Sequence, residues 1–187
     1  MSALTLTLRE PLRLPVDASP LTPERLAGLA ERELAAVPLQ VGNRKVVLGE
    51  LFSIQQGEPE TLVLRGTGTA WRRLGQGMSK GRLVGEGDAG DRLGESMKGG
   101  TIEVQGSAGA FVGTLMHAGT IRVAGDVGDF AGSALAGGRS GMAGGALIVG
   151  GKLGERAGDR MRRGVIVASG DAGAFTGARM IGGTVIV

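Results

Sequence analysis

The sequence predicts an all-β solenoid: a right-handed parallel β-helix of 19-residue coils with a small N-terminal αβ cap. Three observations predict it. Methionines fall at 78, 97, 116, 142, 161 and 180, spaced by 19 residues except across one gap of 26. Glycines keep the same register. Short β-branched runs such as Thr101-Ile-Glu-Val104 and Thr120-Ile-Arg-Val123 recur once per repeat.

The glycines form four columns. One contains Gly81 and Gly100, a second Gly87 and Gly106, a third Gly90 and Gly109, and a fourth Gly94 and Gly113. Together the columns hold 23 of the 37 glycines, a share that chance placement does not give. With Met97 and Met116 they define the structural repeat G-x5-G-x2-G-x3-G-x2-M-x2. The methionine column reads as core filling.

Within each β-branched run, alternation assigns the faces. Leu83, Ile102, Ile121, Leu147, Ile166 and Val185 are always large and aliphatic, so they point inward. The position after them varies (Val84, Glu103, Arg122, Ile148, Val167, Ile186) and points outward. Nineteen residues are too few for a βαβ unit, so successive repeats must stack like on like. The gap of 26 is a seven-residue insertion, Ala136 to Met142.

The N-terminal part lacks the repeat. Leu4, Leu6 and Leu8 alternate with threonines and predict a strand. Thr22-Pro23-Glu24 predicts a helix start with Thr22 as cap. Leu26, Leu29, Ala30 and Leu34 form its apolar face, and Pro38 ends it. The expected domains are a cap over 1–60 and a repeat body over 61–187 carrying the insertion at 136–142. The sequence stops at Thr184-Val-Ile-Val187, halfway through a repeat. That end is expected either to be shortened or to be covered by another polypeptide.

Composition excludes several chemistries. Cysteine is absent, which removes disulfides, thiolate metal sites and a cysteine nucleophile. No secretory signal and no long apolar run occurs, so a cytoplasmic protein without a membrane partner is expected. No nucleic-acid partner is expected either. The formal charge is +3, with 17 arginines and 4 lysines.

Catalytic groups are hard to find. His117 is the only histidine, in a variable position before a glycine corner. Gly85-Glu-Gly-Asp-Ala-Gly90 matches a dinucleotide fingerprint but is part of the repeat, with no room for the helix that motif needs. Asp88, Asp126 and Asp171 share a column that Lys152 interrupts, so a solvated face is expected rather than calcium binding or sugar chemistry. No catalytic, cofactor or metal residue is expected on this chain. Partner or carrier contact is expected at Arg139, in the insertion, and at the cluster Arg156, Arg160, Arg162 and Arg163.

These glycine-marked repeats resemble the GXGXG domain shared by the C-terminal region of glutamate synthase and the C subunit of formylmethanofuran dehydrogenase. Val41-Gly-Asn-Arg-Lys-Val-Val-Leu-Gly-Glu-Leu-Phe52 and Gly138-Arg-Ser-Gly-Met-Ala-Gly-Gly145 are similar to segments of the second. The resemblance implies a non-catalytic structural subunit of a heteromeric enzyme complex. The arginine- and alanine-rich composition favours the bacterial formyltransferase/hydrolase complex. There a formyl group passes from formyl-tetrahydromethanopterin to a methanofuran-type carrier and is hydrolysed to formate, with the metal on a partner subunit. Three other readings stay open. They are the C subunit of a tungsten or molybdenum formylmethanofuran dehydrogenase, the GXGXG domain of a glutamate synthase-like enzyme, and an independent enzyme acting on an acidic sugar.

Overall fold

A computed structural model describes residues 3–187. In chain order the elements are β1 (Ala3–Leu8), β2 (Val16–Asp17), α1 (Pro23–Leu26), α2 (Glu31–Ala35), β3 (Pro38–Val41), β4 (Arg44–Val47), α3 (Leu48–Leu51), β5 (Phe52–Gln55), β6 (Glu58–Thr67), β7 (Trp71–Arg72) and β8 (Arg82–Gly87). They continue with β9 (Lys98–Val104), β10 (Ala118–Val123), β11 (Ala143–Val149), β12 (Arg163–Ala168) and β13 (Thr184–Ile186).

The expected class is corrected. Among the described residues the strands assemble as two mixed sheets, not as a parallel β-helix solenoid: nine strands in the order β13-β12-β11-β10-β9-β8-β6-β1-β5, and four in the order β4-β3-β2-β7. The large sheet is mixed because β1 runs parallel to β6 but antiparallel to β5. The small sheet joins antiparallel pairs to the parallel pair β2–β7. Each repeat supplies one continuous strand. Its other sides are turns crowded with glycine and left-handed residues, which join the next repeat through scattered hydrogen bonds and isolated parallel bridges such as Ala89↔Ala108 and Val127↔Leu153 rather than through a strand ladder. Glycine-rich backbone weakens strand pairing, so no further sheet forms there.

Within the large sheet the repeats lie in register. Leu83 pairs with Ile102, Ile102 with Ile121, Ile121 with Leu147, and Leu147 with Ile166. A one-residue slip would turn the whole aliphatic set outward, so burial fixes the register. Ile102, Met97, Met116 and Val112 are fully buried and form one cluster with their equivalents above and below. One rung alone buries too little to offset the ordering of its backbone; neighbours complete it.

Two glycine columns have different physical reasons. Gly100 has φ +80°, and an added Cβ would lie 2.7 Å from the Gly81 carbonyl oxygen. Gly109 has an ordinary φ, but a Cβ there would lie 2.8 Å from the Asp91 amide nitrogen of the rung below. The first column turns the chain; the second lets adjacent backbones touch.

The N-terminal helix expected from Thr22 onward is broken into α1 and α2 by Gly28 at φ +77°. Thr22 occupies the cap position, but its buried hydroxyl makes no cap bond. Phe52 and Trp71, both buried with ring centroids 5.4 Å apart, tie this region to the first rung.

Candidate interaction surface

The corners of the rungs carry the polar and aromatic side chains of this fold. In one column Arg73, Arg92, Phe111, Phe130, Arg156 and Phe175 all adopt φ between 56° and 63°. Non-glycine residues are strained in that region and stay there only when the surroundings over-determine it. Here amides donate to carbonyls of the next rung: Arg92 to Ala110 at 2.8 Å, Phe111 to Asp129 at 2.9 Å, Arg156 to Ala174 at 2.8 Å. The side chains stack in turn. Phe111 and Phe130 are parallel, 4.9 Å apart, and the Arg156 guanidinium lies 4.9 Å above the Phe175 ring.

Behind this column runs a file of buried polar residues, Glu95, Thr114, Ser133 and Asp159. The Thr114 hydroxyl donates to the Ser133 carbonyl at 2.5 Å, and the Ser133 hydroxyl donates to the Arg156 carbonyl at 2.6 Å. Asp159 accepts both arms of Arg179, at 2.9 and 2.5 Å. That hydrogen-bonded pairing, with its charge attraction, raises the Arg179 pKa. Glu95 lies 3.9 Å from both Arg73 and Arg92, held by charge rather than by a hydrogen bond to its Oε2. Thr114, Ser133 and Asp159 thus each secure a corner, as buried polar groups are expected to be partnered.

The aspartate columns also act on backbone. Asp88 accepts the Ser107 amide at 2.8 Å, Asp126 the Lys152 amide at 2.8 Å, and Asp129 the Glu155 amide at 2.7 Å. Each carboxylate bonds the rung above, a charge-assisted bond that ties neighbours together.

The insertion and the five singled-out arginines divide into two groups. The Arg160 guanidinium donates to the Gly138 carbonyl at 2.6 Å, and the Gly141 amide donates to the Arg160 carbonyl at 2.9 Å. Arg160 therefore pins the loop, and Arg156 is engaged with Phe175. Arg139, Arg162 and Arg163 are exposed, Arg139 in the loop and Arg163 at the start of β12. Substituting Arg160→Ala is expected to speed amide exchange at Gly138 about tenfold, the effect of losing a charged hydrogen bond worth roughly 1.5 kcal/mol. Hydrogen-exchange mass spectrometry reads this directly, and unchanged exchange would show that Arg160 does not hold the loop.

At the other end a cleft of about 640 Å³ opens between the β3–β4 turn and the first corners. Its guanidiniums, Arg72, Arg73 and Arg92, face Asp17 and Asp91, with Arg73 to Asp17 at 3.1 Å and Arg72 to Asp91 at 3.8 Å. The charges largely satisfy one another. His117 is exposed, just before β10. Among the described residues no group of three His, Asp or Glu side chains is placed to hold a metal ion. Among them, too, no helix is long and apolar enough to cross a membrane.

No family model matches the chain, so the GXGXG label drawn from the glycine columns finds no support there. The C subunit of the formyltransferase/hydrolase complex Fhc from Methylorubrum extorquens is 43% identical over 79 residues, which cover 42% of this chain and 30% of that protein. The crystal structure of the complex FhcABCD from the same organism, in complex with methylofuran, contains a chain 42% identical to this one. The superposition covers 98% of this chain and 69% of that chain, with a TM-score of 0.89. This chain belongs to the family of formyltransferase/hydrolase complex C subunits.

Sequence reasoning missed the stacked corner column of this family member. Its residues share the 19-residue register, so the signal was present: Arg73 precedes Arg92 by 19, and Phe111 precedes Phe130 by 19. It was hidden because left-handed corners are sought at glycine, and here the residues are Arg and Phe. The buried polar file was equally aligned but mixes Glu, Thr, Ser and Asp, which no single residue type marks.

Proposed function

We propose that this chain is a non-catalytic structural subunit of a cytoplasmic formyltransferase/hydrolase complex. The complex moves a formyl group from formyl-tetrahydromethanopterin to a methanofuran-type carrier and hydrolyses it to formate, with the metal on a partner subunit. The observation that carries the reading is the fit of 98% of the chain, at 42% identity, to a chain of FhcABCD. The polar groups described above support it, because they are taken up in joining rungs. Residues 1–60 serve as a cap and residues 61–187 as the body, a division supported by β1 and β5 lying along the β6 edge. Arg139, Arg162 and Arg163 meet a partner subunit or the carrier; Arg156 and Arg160 hold the surface from which they project.

Affinity purification of the tagged chain from its native host tests the assignment. The expected result is stoichiometric co-elution of the other subunits, identified by mass spectrometry, together with formate release from the formyl donor. A chain that elutes alone as a stable monomer would overturn it.

A further inference from the structure

The outer face of the large sheet changes character halfway along. Over β6, β8 and β9 the outward residues include Val84 but are mostly charged and bridged between strands, Arg82 to Glu103 at 2.6 Å and Arg65 to Glu86 at 3.0 Å. Thr101-Ile-Glu-Val104 of β9 and Thr120-Ile-Arg-Val123 of β10 alternate apolar and polar, the pattern of a sheet with one solvated face. From β11 the alternation stops. Ala146-Leu-Ile-Val149 and Val165-Ile-Val-Ala168 are continuous apolar runs. Leu147, Val149, Ile166 and Ala168 are buried inside, which leaves Ala146, Ile148, Val165, Val167 and then Ile186 facing out on neighbouring strands. Val165 is 37% exposed and Ile186 51%. Strands apolar on both sides are the signature of a sheet covered on both sides.

Cations border this patch. Arg122 lies directly beside Ile148 in the β10–β11 register, and exposed Arg163 opens β12 two residues before Val165. Both are exposed, and among the described residues neither forms an ion pair with a carboxylate. The arginines farther down the same face, Arg65 and Arg82, do have carboxylate partners. An apolar centre with unpaired guanidiniums at its edge is complementary to an apolar centre edged by carboxylates.

We infer that the outward face of β11–β13, edged by Arg122 and Arg163, is the seat of a different subunit presenting an apolar patch rimmed with Asp and Glu. The inference rests on the proposed assembly and names the surface it uses. A second copy of this chain would bring arginine against arginine across a two-fold axis, so charge favours an unlike partner.

The absence of cysteine makes the test clean. Ile148→Cys places a single thiol in the patch, and a polar maleimide reports its accessibility in the isolated chain and in the purified complex. The expected result is free reaction in the isolated chain and reaction slowed about tenfold or more on assembly. Val84→Cys, in the same column, provides the comparison for general shielding. Ile148→Glu is expected to lose a partner on purification while keeping the far-UV spectrum and melting temperature of the unaltered chain. Arg122→Glu is expected to weaken that association about tenfold, less so at high salt.

An intact complex in which the thiol introduced by Ile148→Cys stays as reactive as in the isolated chain overturns the inference alone. Protection already present in an isolated monomer would show that the chain covers its own face, and protection through a homodimer would assign the face to a second copy; either also overturns it. Failure of the unaltered chain to join any complex removes the functional assignment as well.

Discussion

Gly109→Ala is expected to destabilise the chain by about 4 kcal/mol or more, or to prevent folding. No backbone strain is involved, because Gly109 lies outside the left-handed region. The cost is steric. The new methyl carbon would stand 2.8 Å from the Asp91 nitrogen and 2.9 Å from the Gly90 carbonyl carbon, both backbone atoms of the rung below. Backbone cannot rotate aside as a side chain can, so the rungs would have to part. The Ala110 amide bond to Asp91, 2.9 Å long, would open with them. Thermal unfolding followed by circular dichroism should show a fall of roughly 10 °C or more. Gly113→Ala is the matched comparison. Gly113 has φ +67°, but its added carbon would meet nothing nearer than 3.7 Å. It should cost only the left-handed strain, about 1–2 kcal/mol. Equal effects at the two sites would refute the claim that direct backbone contact sets the spacing of the rungs.

The second large effect is expected at Gly94. It has φ +65°, and the space of its missing side chain is taken by the Cδ1 methyl of Ile121, which reaches it from β10. An added Cβ would overlap that methyl, with Ile121 Cγ1 at 3.3 Å and Ile102 Cδ1 at 3.4 Å behind it. Ile121 is fully buried and has no free direction in which to swing. Gly94→Ala should therefore cost about 3 kcal/mol, from left-handed strain and overpacking together. Ile121→Val, which removes the methyl, should cost about 1 kcal/mol alone. Combined, the two changes should cost at least about 1 kcal/mol less than their separate effects added, because the valine makes room for the alanine. Chemical denaturation of the four proteins measures the coupling, and strict additivity would show that the pair does not share space. Gly113 and Leu147 show the same contact by its absence: leucine branches one carbon later, and its methyls do not enter the hollow within 4 Å.

Much of the stacking was legible in the residues. The period of 19 aligned Leu83 with Ile102 and Ile121, and those side chains do lie one above another. The period said less about class. It led to a β-helix solenoid, whereas the strands form two mixed sheets, because β1, β2 and β5 carry no repeat and join the repeat strands through packing. Gly28 likewise broke a helix that the spacing of Leu26, Leu29 and Leu34 had suggested as one piece.

By itself the sequence determined which aliphatic residues share a face and that the chain resembles the C subunits of this family. Periodicity carries that information because equivalent positions in adjacent rungs have the same surroundings. Only the tertiary structure decided what the polar residues do. Asp126 reaches the Lys152 amide, Arg160 the Gly138 carbonyl, and Asp159 the Arg179 guanidinium, each across 20 to 26 residues of chain. A side chain's partner depends on distances that are set only when the rungs close on one another, and no spacing along the sequence records them.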